Sequence, residues 1–132
     1  MSSGAFKNNA NNDESFVAEV AMATQYTAVK LGGDANSVDL ADANSDQGIG
    51  ITQEAQAIVD APITVRTAGY SMARSDGGWT KGDKLTGSTG GTLATTTTAG
   101  HMVCAIAQET VATTELGEVQ IISPAQLYST FA

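Results

Sequence analysis

Gly78-Trp79-Thr80-Lys81-Gly82-Asp83-Lys84-Leu85 is the stretch on which the reading of this chain turns. An apolar residue, a Lys-Gly-Asp turn and a second apolar residue mark a tight corner between β-strands. Gly82 can take the positive φ that such a turn demands, and Asp83 can hydrogen-bond the backbone beyond it. Turn mechanics account for the motif, so it belongs to a scaffold and chemistry must be sought elsewhere.

Short apolar runs continue on both sides of this corner. Gly48-Ile49-Gly50-Ile51-Thr52, Ala61 to Thr67, Tyr70 to Ala73, Lys84-Leu85-Thr86, Thr92-Leu93-Ala94, Met102 to Ala107 and Gly117 to Ile122 all read as strands. Separators rich in glycine and small polar residues recur between them, among them Thr67-Ala68-Gly69, Ser75 to Gly78, Gly87 to Gly91 and Ala99-Gly100, as in an all-β domain. Upstream, Ser15 to Leu31 reads as two strands or one long bent strand, although Ala18 to Ala23 alone could pass for helix. Val38-Asp39-Leu40 makes a further short strand. Gln53 to Val59 fits a helical turn and Thr110 to Leu116 a loop.

The expected fold is therefore all-β, a small β-sandwich or barrel. Residues 1–14 form a flexible N-terminal arm, small and polar apart from Phe6, residues 15–123 the β domain, and residues 124–132 a short C-terminal tail carrying Leu127, Tyr128 and Phe131. At 132 residues a single domain hides roughly two-thirds of the surface its unfolded chain exposes, enough for a core. Only 5% of residues are aromatic, so that core is built from small side chains. Phe6, Phe16, Trp79, Leu127, Tyr128 and Phe131 are the candidate interface, with Trp79 read as structural or interface packing.

Six basic against fourteen acidic residues give a net charge of −8. Such a charge repels phosphate backbones and anionic lipid, so neither nucleic acid nor membrane is an expected partner. The start of the chain has no apolar signal region, and synthesis in the cytoplasm as a soluble product is expected.

No group of residues makes a convincing catalytic site. Cys104 is the one cysteine and His101 the one histidine. Three residues apart in a strand they point to opposite faces, and together they are too few to hold zinc. Cys104 sits in an apolar run, where a thiol behaves as a small buried hydrophobe. Asp34, Asp39, Asp42 and Asp46 invite a calcium reading, but Ala35, Val38, Leu40 and Ala41 break the alternation a calcium loop needs, and a solvated loop is the better account. The run Gly87 to Thr92 lacks the Gly-Lys-Ser/Thr ending of a phosphate loop, and Thr95 to Thr98 reads as strand or edge. No catalytic residue, metal or cofactor is expected.

The order Gly48-Ile49-Gly50-Ile51, Ile63-Thr64-Val65, Gly69, Lys81-Gly82-Asp83-Lys84-Leu85, Gly91-Thr92-Leu93, Val103 to Ala107 and Gly117 to Ile122 resembles the small capsid decoration, or cement, proteins of tailed bacteriophages. The resemblance spans Gly48 to Ile122 and departs where Cys104 stands near a usual glycine. It implies a non-enzymatic virion protein, made in the host cytoplasm, that binds the major capsid protein on the outer surface of the assembled head and stabilises it, commonly as a homotrimer. Two alternatives come from other classes. The Lys-Gly-Asp-x-Leu corner also resembles biotinyl or lipoyl carrier domains, though neither Lys81 nor Lys84 has the attachment setting. Trp79 alone suggests a glycan-binding module.

Overall fold

A computed structural model describes residues 11–122, and among them the fold is all-β, without an α-helix. The strands are β1 (Asn12–Ala18), β2 (Ala28–Leu31), β3 (Ser37–Leu40), β4 (Gly50–Thr52), β5 (Pro62–Arg74), β6 (Lys84–Gly87), β7 (Leu93–Thr95), β8 (Ala105–Ala107) and β9 (Leu116–Ile121). One turn of 3-10 helix, Thr89–Gly91, lies between β6 and β7.

The sheet order is β1-β3-β2-β4-β5-β9-β8-β6-β7, and β1 also pairs with β5. The first five strands therefore close into a barrel, which removes most of the exposed edges that an open sheet would leave. Within it only β1 and β3 run parallel. The upper half of β5 continues into a second group, β5-β9-β8-β6-β7. That group is drawn towards closure by a bridge between Ser75 and Leu93 and by the Asp76 N–H donating to Leu93 O at 2.8 Å.

Strand β5 is shared by both groups and is 13 residues long. The sequence suggests two strands here, parted at Thr67-Ala68-Gly69, and the structure corrects this. Gly69 takes φ +97°, a value open to glycine, so the chain bends without leaving the sheet. Below the bend β5 pairs with β1 and β4, and above it with β9.

Two cores follow. Ala18, Met22, Val29, Val38, Ile63 and Val65 fill the first barrel, with Phe16 and Leu40 partly covering them. The second core holds Trp79, Leu85, Leu93, Cys104, Val119 and Ile121 together with Ala28, Ala41 and Ile51. Since Ala28 and Ile51 are register partners on β2 and β4, the second group packs against the outside of the first barrel there. Strand β4 is buried on both faces for this reason. Gly87, expected in a flexible loop, lies buried at this seam: a Cβ on it would sit 2.5 Å from Ala41 O.

The N-terminal boundary also moves. Asn12, Asp13 and Glu14 belong to β1, paired with Ala68, Arg66 and Val65, so the expected arm of residues 1–14 overlaps the barrel by three residues. A bidentate contact from Arg66 to Asp13 (Nε to Oδ1 2.7 Å, Nη2 to Oδ2 3.1 Å) fastens this end. The tail of residues 124–132 lies outside the described residues.

Candidate functional site

The Lys81-Gly82 corner forms as a β-turn. The Asp83 N–H donates to Thr80 O at 3.0 Å, and Gly82 has φ +93°, the pattern of a type II turn. The Asp83 carboxylate bonds the backbone before it, not beyond it, accepting from the Thr80 N–H at 2.9 Å and from Thr95 Oγ1 at 3.2 Å. Lys81 and Lys84 are both exposed, and the Lys81 N–H donates to Thr110 Oγ1 at 3.0 Å.

Trp79, read from sequence as structural or interface packing, is 4% exposed and part of the second core, the structural of the two. It exchanges two backbone hydrogen bonds of 3.0 Å with Val111, and its Nε1–H donates to Glu109 O at 2.9 Å. A ring buried on both faces offers no surface to a sugar, so the glycan reading loses the residue on which it rested. The shallow cleft beside it, about 480 Å³, is walled by the Gly77–Thr80 and Thr110–Thr113 segments with Asp83 and Thr95.

His101 and Cys104 precede β8, so the argument from strand alternation does not apply to them. His101 Nδ1 lies 2.6 Å from Thr96 Oγ1. Cys104 is buried against Gly48, and burial pushes its thiol up from the ordinary range, which leaves it protonated and unreactive at neutral pH. Asp46, from the acidic loop, is committed to structure: its Oδ1 accepts from Lys30 Nζ at 3.0 Å, and its Oδ2 accepts from the Asp42 and Ala43 N–H groups. Partial burial raises its pKa, but these hydrogen bonds outweigh that and hold it below the usual carboxylate value. Among the described residues no three His, Cys, Asp or Glu side chains are grouped to hold a metal ion.

The described surface also carries large apolar side chains. Ile58 is 67% exposed, Val59 52% and Leu31 63%. Ile58 and Val59 occupy a turn closed by Ala61 N–H to Ile58 O at 3.3 Å and fixed to β1 by Asp60 N–H to Ala18 O at 2.7 Å. Asp60 stands at φ +67° in this turn, an uncommon value for a residue with a Cβ. Leu31 flanks an apolar hollow shared with Ile49, Gln47 and the Lys30 stem. None of these was marked as a candidate from sequence, where Gln53 to Val59 fits a helical turn; the structure has no helix there. Of the expected interface residues, Phe16 is half-buried over the first core, and Phe6, Leu127, Tyr128 and Phe131 lie outside the described residues.

Comparison with protein-family models gives no match, and neither does comparison with curated proteins. Among solved structures, the chain is similar in fold to the N base of the head fibre gp8.5 of bacteriophage phi29. The TM-score is 0.58 with 14% identity, and the similarity covers 85% of this chain and 94% of that one.

Proposed function

We propose that this chain is a structural, non-catalytic protein of a phage virion that attaches to the outer surface of the head and stabilises it. The observation that carries the reading is the end-to-end likeness of fold to a head-fibre base, which spans nearly all of that chain. The sequence resemblance to head decoration proteins points to the same surface by an independent route. The burial of Cys104 and the contact of His101 with Thr96 support a role without turnover.

In this reading the partner is the major capsid protein, the protein acts as a cement on the virion exterior, and copies associate as a homotrimer. The Ile58-Val59 turn supplies attachment: two exposed apolar side chains on hydrogen-bonded backbone lose little conformational freedom when covered. Co-sedimentation tests it. Purified protein mixed with heads that lack it should pellet with them at a fixed stoichiometry, and Ile58→Asp with Val59→Asp should weaken that binding. Protein that stays in the supernatant with intact heads would refute the proposal.

A further inference from the structure

Lys30, Leu31, Gln47 and Ile49 wall a hollow of about 360 Å³ at the end of β2. Its two polar side chains are both engaged, Lys30 Nζ with Asp46 Oδ1 at 3.0 Å and Gln47 Nε2 with Gly48 O at 3.2 Å. What the hollow offers is therefore their methylene stems and the Leu31 and Ile49 side chains. Leu31 is 63% exposed, and Ile49, packed against the first core, is only half-buried. Covering this surface removes apolar area from water.

The chain leaves the described residues close to this hollow. The Ile122 N–H donates to Cys104 O at 3.0 Å, and Cys104 Sγ lies 2.7 Å from the point that a Cβ on Gly48 would occupy. Gly48 stands between Gln47 and Ile49, so residues 123–132 begin two contacts away from the wall of the hollow. That segment has no charged side chain and three large apolar ones, Leu127, Tyr128 and Phe131. Leu127, five residues past Ile122, reaches up to about 17 Å from it. The start of the chain is worse placed. Ala18 and Leu31 both pair with Val38, and Asn11 lies up β1 from Ala18 by roughly 23 Å of strand. Phe6, five residues before Asn11, reaches only about 17 Å from there.

We propose that residues 123–132 of the same chain fold back over this hollow and bury Leu127 and Tyr128 against Leu31 and Ile49. The connection through Ile122 holds the segment there at an effective concentration of about millimolar, so the contact needs no second molecule. It withdraws Leu127 and Tyr128 from the surface offered to other molecules. The inference therefore stands apart from the head-binding proposal, whose contact is the Ile58-Val59 turn.

Nuclear Overhauser contacts in the full chain, with leucine, isoleucine and valine methyl groups labelled, test it. The Leu31 and Ile49 methyls should show contacts to the Tyr128 ring. Refolding the labelled chain together with an excess of fully deuterated chain should leave these contacts at full strength, because they lie within one molecule. Leu31→Asp, at an exposed position, should abolish the contact between Ile49 and Tyr128. Leu127→Asp with Tyr128→Asp should shift the Leu31 and Ile49 methyl signals. Both variants should leave the Val65 and Val119 signals of the two cores in place, which shows that the fold is kept. Absence of the contacts in the full chain, or Leu31 and Ile49 signals indifferent to the paired aspartates, would overturn the proposal. So would contacts that fade in the deuterated mixture, which assign the hollow to a second copy, or contacts to Phe6 instead, which assign it to the chain's start.

Discussion

Replacing Trp79 by alanine removes the largest side chain of the second core, and its cost can be worked from the contacts. The indole is 4% exposed and packs beside Val111 and Gly117. Truncating a buried Trp to Ala costs about 3 to 5 kcal/mol. Its hydrogen bond to Glu109 O adds little, because Glu109 is exposed and water can replace the donor. Trp79→Phe, which keeps most of the ring and loses the N–H, should therefore cost only about 1 kcal/mol. Urea unfolding followed by far-ultraviolet circular dichroism separates the two. With a slope of roughly 1.5 to 2 kcal/mol per molar, the alanine variant should lose about 2 M of midpoint and the phenylalanine variant about 0.5 M. In the native protein the Trp79 emission should be blue-shifted and resistant to acrylamide. A loss below about 0.5 M for Trp79→Ala, with emission typical of solvated indole, would refute the placement of this side chain in the core.

Four further outcomes follow from the geometry. Gly117→Ala places a methyl 2.5 Å from Val111 Cγ1 and 3.2 Å from Trp79 Cζ2, so it should destabilise by about 1 to 3 kcal/mol, read as a lower urea midpoint. Asp13→Asn should cost less than about 1 kcal/mol at pH 7, since the pair is partly exposed. The hydrogen bond from Arg66 lowers the Asp13 pKa in the folded state, so the contribution is present above the unfolded carboxylate value and lost as pH falls through the folded one; unfolding curves of the two proteins should converge at the acid end. Deleting residues 1–16 removes most of β1 and should open the first barrel, a loss of β-signal visible by circular dichroism. Cys104 should react with a thiol reagent orders of magnitude more slowly in native buffer than in urea, and equal rates would contradict its burial.

Strand identity was largely legible in the sequence. The runs at Val38 to Leu40, Lys84 to Thr86 and Gly117 to Ile122 sit within one or two residues of β3, β6 and β9, because alternation and flanking turn residues are local signals. Gly69 misled because glycine marks a bend without saying whether the strand ends there. The answer depends on whether neighbours wait on both sides, as β1, β4 and β9 do here. The same non-local information decides that β1 meets β3 in parallel and that the ring closes. Trp79 could not be assigned between core and interface for a related reason: its burial rests on Val111, Glu109 and Gly117, about thirty or more residues away. The exposed Ile58-Val59 turn escaped notice because apolar residues are read as core by default, and only the closed barrel shows that these two project from it.

The central claim, attachment to the outside of a phage head, is tested most directly by cryo-electron microscopy of particles produced with and without this protein. The difference map should show discrete density on the outer face of the shell, at symmetry-related positions, that the barrel and the sheet packed on it, residues 11–122, fit without rearrangement. Identical maps, with the protein recovered only from the unassembled fraction, would contradict the account.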